Sequence, residues 1–318
     1  MNPTIAKHTA LVKQLARELG FDYCGIARAM QLDEDARRLE QWLHKGFQGT
    51  MAYMERYFDL RIDPRKLVPG AQSVITLLLN YYPPQQQRAD SYQVSKYAYG
   101  KDYHRVIKKK LKEFLQQLQE QIGSIQGRGF VDSAPVLERA WAVRSGLGWI
   151  GKNGNLITRQ QGSFLFIATL ITDLELVYDA PFAGDFCGTC TRCIDACPTQ
   201  AILPDKIIDA SRCISYYTIE LKAELYPQEA EGKWENWIFG CDICQDVCPW
   251  NRFSRVTREA AFAPMPEILN FTTQQWERLT EEKFVELFGS SALKRTGWKG
   301  LQRNIRLIKS HNTISSHF

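Results

Sequence analysis

The sequence predicts a mixed α/β (α+β) protein in which an α/β domain leads into a small cysteine-rich domain and a short helical carboxyl end. Three observations predict it. Ser73 to Tyr81 (SVITLLLNY) and Ser163 to Thr172 (SFLFIATLIT) are unbroken apolar runs of strand length, fit for strands buried on both faces. Segments of helical periodicity lie before, between and after them. Eight of the nine cysteines fall between residues 187 and 248.

Taken in order, Ile5 to Leu19 places apolar residues at Ile5, Leu11, Val12, Leu15 and Leu19, with Gly20 just past its end, and reads as a helix. Tyr23 to Ala27 follows as a short strand, in which Cys24 is expected to be a buried thiol. Asp33 to Lys45 is a second amphipathic helix ahead of the first long apolar run. His104 to Gln121 reads as a charged helix, Gly129 to Asp132 as a brief strand and Val136 to Ser145 as a helix. That helix runs into Gly146-Leu147-Gly148-Trp149-Ile150-Gly151-Lys152-Asn153-Gly154-Asn155. Four glycines in nine residues demand close backbone approach, which suits a large ligand. Gly146, Gly148 and Gly151 do not make a dinucleotide fingerprint, because they follow a helix where that motif needs a strand. Gln274 to Phe288 and Gly300 to Lys309 are expected as helices. The domain division is 1–175, 176–262 and 263–318.

The cysteine segment carries the strongest motif. Cys187, Cys190, Cys193 and Cys197, followed by Pro198, have C-x2-C-x2-C-x3-C-P spacing, answered later by Cys241, Cys244, Cys248 and Pro249. In this pattern three close thiolates grip one 4Fe-4S cluster while the fourth reaches its neighbour. The second run lacks its leading cysteine, and Cys213 is the replacement. One cluster is thus assigned to Cys187, Cys190, Cys193 and Cys248, and the other to Cys197, Cys213, Cys241 and Cys244. Structural zinc fits poorly, since neither run has a C-x2-C…C-x2-C layout that leaves its other cysteines unused. A disulfide framework is disfavoured, because the chain is large and apolar enough to fold without staples.

With 318 residues, 44% hydrophobic and 24% charged, the chain has room for a substantial core. No apolar run reaches the length of a membrane span. The opening MNPTIAKHTALVKQLARELG is amphipathic and does not read as an export signal, so a cytoplasmic location is expected. The net charge of +5 is modest. Lys101, Arg105, Lys108, Lys109, Lys110 and Lys112 crowd one segment, and Lys294, Arg295, Lys299, Arg303, Arg306 and Lys309 mark the carboxyl end. Both read first as solvated helix faces and second as polyanion-binding surfaces. No repeat or coiled coil enforces a dimer, leaving a monomer as the default.

Val131-Asp132-Ser133-Ala134-Pro135-Val136-Leu137-Glu138-Arg139, the glycine loop through Asn153, Gly162-Ser163 and both cysteine runs, in that order, resemble epoxyqueuosine reductases. Tyr97 to His104 (YAYGKDYH) fits the same family, and the resemblance extends to about Asn304. It implies a cobalamin-binding, nitroreductase-like α/β domain, a bacterial-ferredoxin-like domain with two clusters, and removal of the epoxide oxygen from epoxyqueuosine in tRNA. The cobalamin would be base-off, and an external donor would supply electrons. Relatives often continue with a helical-repeat domain, whereas this chain ends fourteen residues after Asn304, so weaker and salt-dependent tRNA affinity is expected.

The resemblance also implies site residues. Clusters pass one electron at a time, but opening an epoxide needs a two-electron carrier, and the oxygen that gains negative charge needs an acid. Asp132 is that acid, with a pKa expected to be raised by apolar neighbours and the corrin face. The alternative is a helix cap for a helix beginning at Pro135. Arg61, Ser95, Asp132, Lys152, Asn153, Leu156 and Ser163 match the cobalamin pocket, and Arg139 and Lys222 match positions facing the tRNA. Two rival readings are a reductive dehalogenase, which shares the cofactors but is usually exported, and a ferredoxin-type electron carrier, which leaves Asp132 and the glycine loop unexplained.

Overall fold

The computed structural model describes residues 3–222 and 233–315. Four strands, β1 (Tyr23–Arg28), β2 (Ser73–Asn80), β4 (Gly127–Phe130) and β7 (Leu165–Thr172), form one antiparallel sheet in the order β1-β2-β7-β4. The long apolar runs are its two central strands, in register from Ser73 opposite Thr172 to Asn80 opposite Leu165. All eight residues of β2 are buried, as the unbroken run predicts.

Helices cover both faces, and the period of two decides which side chain meets which. Ile75, Leu77 and Leu79 pack with the Pro3–Glu18 and Tyr103–Ile122 helices through Val12, Leu15, Ile107, Leu111 and Phe114. Val74 faces the other way, toward Trp141 of the Glu138–Arg144 helix, and Leu78 packs there with Ala142. On the same face Thr76 and Ser145 share a hydroxyl contact at 3.1 Å, satisfying two buried polar groups. Cys24 lies partly buried on β1, and burial pushes its thiol up to about 12.

A second core joins segments far apart in sequence. Val94 and Tyr99, then Tyr217, Trp237 and Phe239, then Trp276, Phe288 and Leu301 belong to one apolar cluster. Within it β3 (Gln93–Val94) pairs in parallel with β8 (Trp237–Phe239). Two residues on, the Lys96 amide donates to Asp242 at 2.7 Å and its buried ammonium pairs with Asp246 at 2.7 Å. This pair joins the buried Lys96 to an Asp246 side chain that stays 42% exposed. It locks the sheet domain against the loop that carries Cys241, Cys244 and Cys248.

Several boundaries differ from the sequence reading, among them that of the last helix, which runs Gly297–Ser315. The expected helix from Gln274 to Phe288 is two helices, Thr273–Glu277 and Glu281–Phe288, because Thr272 and Thr280 each cap a new start. β4 stops at Phe130, since Asp132 takes a left-handed backbone (φ 55°) that no strand continues. The next helix begins at Glu138 with Leu137 at its N-cap, not near Pro135. Among the described residues, no helix is long and apolar enough to cross a membrane.

Candidate active site and cluster ligands

The two cysteine runs fold alike. Each places a four-residue helical turn, Arg192–Asp195 or Ile243–Asp246, between its ligands, and a proline after its last cysteine. Cys187, Cys190, Cys193 and Cys248 line one cavity, so the last cysteine of the second run joins the first three of the first. Cys213 lies near Cys197, Cys241 and Cys244. Burial, then the charges of Cys213, Asp242, Cys193 and Cys197, raises the Cys244 thiol, and Cys241 is raised by burial and by Cys213 and Cys244. Among the described residues no three His, Cys, Asp or Glu close on a single ion. Thiols set around a cavity suit a cluster, and iron supplies the positive charge that ionises thiols held neutral by burial.

The glycine loop is a seam against these ligands. β5 (Trp149–Ile150) pairs with β6 (Leu156–Ile157), and a Cβ at Gly148 would meet the Ile157 carbonyl oxygen at 2.2 Å. At Gly148, and at Gly146 against the Ala180 carbonyl, the close approach is to the protein's own backbone. Lys152 donates to the carbonyls of Gly188 and Cys190 at 2.8 and 2.9 Å, and Asn153 to that of Cys244 at 3.1 Å. Ser163 binds Asn251 and Gln245, and Ser95 is buried beneath Gly240. Leu156 is a core residue of the second sheet face. These side chains hold the cluster loops to the sheet domain, which leaves mainly backbone groups of the loop for a second cofactor.

Arg61 is different. It is 8% exposed, donates one guanidinium nitrogen to the Tyr53 carbonyl at 2.8 Å, and keeps its Nε buried without a protein partner. Gln48 Oε1, earlier in the same segment as Tyr53, is likewise buried without one. Unused buried donors and acceptors fit a ligand fringed with amides and phosphate, as cobalamin is.

Asp132 sits just beyond β4 with its side chain 62% exposed. Its Oδ2 accepts from the Tyr103 hydroxyl at 2.5 Å and lies 3.4 Å from His104 Nε2. Its backbone N–H donates to Glu138; the N-cap of the next helix is Leu137, with no side-chain cap bond, so Asp132 does not cap that helix. His104 Nδ1 lies 2.8 Å from Asp102, whose other oxygen pairs with Lys294 at 2.6 Å.

Electrostatics correct the expected charge state. Burial pushes the Asp132 carboxyl up, but contacts from His104 and Tyr103 and the charges of His104 and Arg295 more than offset it, holding the group below its usual range. Burial pushes His104 down, while Asp102 and Asp132 together lift it to about 9. Burial and then the Asp132 charge raise the Glu138 carboxyl to about 8. Both His104 and Glu138 are thus shifted toward their protonated forms, while Asp132 is shifted toward its ionised form.

Arg139 is exposed and donates to the Gly154 carbonyl, and Lys222 reaches the carbonyls of Ile219 and Arg295 at 3.0 and 3.1 Å. Lys294 and Arg295 pair with Asp102 and Glu220, Lys309 pairs with Glu277, and Arg303 is buried. Of the carboxyl-end basic cluster only Arg303 is thus taken into the core, while Lys294, Arg295, Lys299, Arg306 and Lys309 stay exposed, three of them in surface ion pairs. Sequence reasoning gave no role to Asp102, Tyr103, His104, Glu138 or Lys294. The signal that was present is Asp102-x-His104 at a helix start, where an N-cap aspartate is expected.

The family model described as "Epoxyqueuosine reductase QueG, DUF1730" matches residues 61–133, and that described as "4Fe-4S double cluster binding domain" matches residues 186–251. A curated epoxyqueuosine reductase of Cyclobacterium marinum is 59% identical over 96% of this chain and 98% of its own length. The chain belongs to the epoxyqueuosine reductase family. The epoxyqueuosine reductase of Cellulophaga algicola is 57% identical over 96% of this chain and 99% of its own. A crystal structure of epoxyqueuosine reductase with an epoxyqueuosine-modified tRNA-Tyr stem loop has a TM-score of 0.87 at 30% identity, covering 98% of this chain and 83% of that one. For an epoxyqueuosine reductase the first matched block is informative, since it begins at Arg61 and takes in Ser95, Tyr103, His104 and Asp132.

Proposed function

We propose that this chain reduces epoxyqueuosine in tRNA to queuosine, with Asp132 as the acid and two 4Fe-4S clusters as the electron path. The observation that carries the reading is the exposed Asp132 carboxylate, anchored by Tyr103 and His104, in a chain of this family that also holds eight paired cluster cysteines. The balance is epoxyqueuosine plus two electrons and two protons, giving queuosine and water. Both carbon–oxygen bonds of the epoxide break and a carbon–carbon double bond forms.

Bound beside Arg61 and the glycine loop, base-off cobalamin would supply the two-electron carrier that one-electron clusters cannot be. The chain's own residues do the rest. Asp132 brings a proton to the oxygen as charge builds on it, and general-acid help of this type contributes about 10²–10⁴-fold. Tyr103 fixes the orientation of the carboxylate from below. Lys152 and Asn153 hold the cluster loops so that electrons arriving from an external donor reach the sheet domain. Arg139 and Lys222 stand where phosphate or a base of the anticodon arm would dock.

By function the chain divides at 1–175 for cobalamin and chemistry, 176–262 for the clusters and 263–318 as a helical carboxyl segment. A tRNA substrate places the work in the cytoplasm, and a monomer suffices because every proposed site residue comes from one chain. Anaerobic reconstitution with iron, sulfide and cobalamin, followed by nucleoside mass analysis of epoxyqueuosine-containing tRNA, tests the reading. Queuosine is the expected product. Unchanged epoxyqueuosine with both cofactors bound points to another electrophile, and failure to bind cobalamin points to an electron carrier.

A further inference from the structure

We propose that His104 is the proton store that recharges Asp132, kept charged by the buried Asp102, which Lys294 in turn holds ionised. The proposal deepens the reading of Asp132 as the acid and rests on it. Each turnover consumes two protons, and a single carboxyl delivers one at a time, so a second donor must stand within reach.

The geometry singles out His104. Asp102 caps the Tyr103–Ile122 helix by accepting the His104 amide at 3.0 Å, and the same oxygen lies 2.8 Å from His104 Nδ1. A cap needs no more than that. Yet the second oxygen of Asp102 meets Lys294 Nζ at 2.6 Å, and the whole residue is 3% exposed. A buried carboxylate with two cationic partners stays ionised, and a bond at Nδ1 leaves Nε2 of the imidazolium to face Asp132 Oδ2 at 3.4 Å. In ligand-free structures catalytic hydrogen bonds are often this long and tighten in the substrate complex.

The charged and titratable groups around His104 agree on this role. From its own helix come Asp102 and Tyr103, whose ring stacks on the imidazole with centroids 4.1 Å apart. From the segment after β4 come Asp132 and, behind it, Glu138, whose carboxyl is raised to about 8 by burial and then by the Asp132 charge. From the Ala292–Arg295 turn come Lys294, paired with Asp102, and Arg295, paired with Glu220. Tyr103 touches the same carboxylate oxygen but cannot be the source, because burial and then the Asp132 charge drive its phenol far above its usual range. In the transfer the His104 Nε2–H bond breaks, the Asp132 O–H bond forms, and the imidazole becomes neutral. Asp132 then gives that proton to the departing oxygen. His104 is 30% exposed and regains a proton from solvent.

Three variants of the reconstituted holoenzyme, Asp102→Asn, His104→Gln and Asp132→Asn, test this by single-turnover pH profiles on an epoxyqueuosine-containing stem loop. Ring NMR of the five histidines adds a readout independent of activity. The wild-type rate is expected to fall on the alkaline side with the His104 titration near pH 9. In Asp102→Asn both the NMR midpoint and the rate limb move down toward an ordinary histidine, a loss of about 30-fold at pH 8. His104→Gln abolishes that limb and slows turnover about 10-fold or more even at pH 7. A His104 midpoint unmoved by Asp102→Asn overturns the proposal, as does wild-type rate and profile in His104→Gln. In those cases an inactive Asp132→Asn leaves the acid reading standing. Full activity in Asp132→Asn removes the acid reading itself.

Discussion

The backbone nitrogen of Asp132 donates to both carboxylate oxygens of Glu138, at 3.0 and 3.1 Å. This contact closes the loop between β4 and the next helix and holds Asp132 in the left-handed region at φ 55°. A non-glycine residue in that region carries strain, which the surrounding contacts must offset. Glu138 is therefore the latch of the acid-bearing loop.

Glu138→Ala should loosen that latch. We expect a loss of about 1–3 kcal/mol of stability from the unsatisfied loop amide and a fall of about 10-fold in turnover, with both clusters retained. Glu138→Gln keeps an acceptor oxygen and should retain most activity. Thermal unfolding and single-turnover assays check both, and an Ala variant as active as wild type removes the latch.

Stability should depend on pH through His104. Its folded pKa is raised to about 9, so the folded protein binds more protons than the unfolded chain between about pH 6.5 and 9. That contribution is complete below about pH 6.5 and is lost as pH rises through 9. The midpoint of thermal unfolding should drop across this window more in wild type than in His104→Gln. Asp102 has the opposite sign, since its depressed pKa makes its contribution vanish only as pH falls through the acid range.

Arg61→Met should weaken cobalamin without touching the clusters. Removing a buried charged donor from a ligand costs about 1.5–3 kcal/mol, or at least about 10-fold in affinity. Absorbance titration with cobalamin measures it, and an unchanged Kd would place the corrin elsewhere.

The two clusters should be separable by mutation. Cys248→Ser should remove iron from the cavity of Cys187, Cys190 and Cys193, and Cys213→Ser from the other set, each leaving about four irons. Iron analysis with electron paramagnetic resonance distinguishes them. Exchange of the two outcomes would reverse the ligand assignment.

What the sequence revealed and what it hid follow from range. The central strands were legible because SVITLLLNY and SFLFIATLIT state their burial locally, and the cysteine runs because their spacing is a local motif. Thr280 broke an expected helix because its cap competes with a continuous apolar pattern that alone reads as one helix. Gly148 approaches Ile157, and close backbone contact with the protein leaves the same mark in a sequence as contact with a ligand, so glycine spacing by itself does not separate the two. Asp132 was visible through family resemblance, yet its lowered pKa was not, since it depends on His104 and Tyr103 reaching it from another helix. Asp102 and Lys294 lie far apart in the chain, and only the packing of the carboxyl segment onto a helix start brings them together.

The most direct test compares wild type with Asp132→Asn, each loaded with iron–sulfur clusters and cobalamin, by mass analysis of nucleosides from epoxyqueuosine-containing tRNA under a strong reductant. The account predicts queuosine from wild type and a rate lower by at least about 100-fold from Asp132→Asn at equal cofactor content. Equal queuosine from both proteins would contradict it.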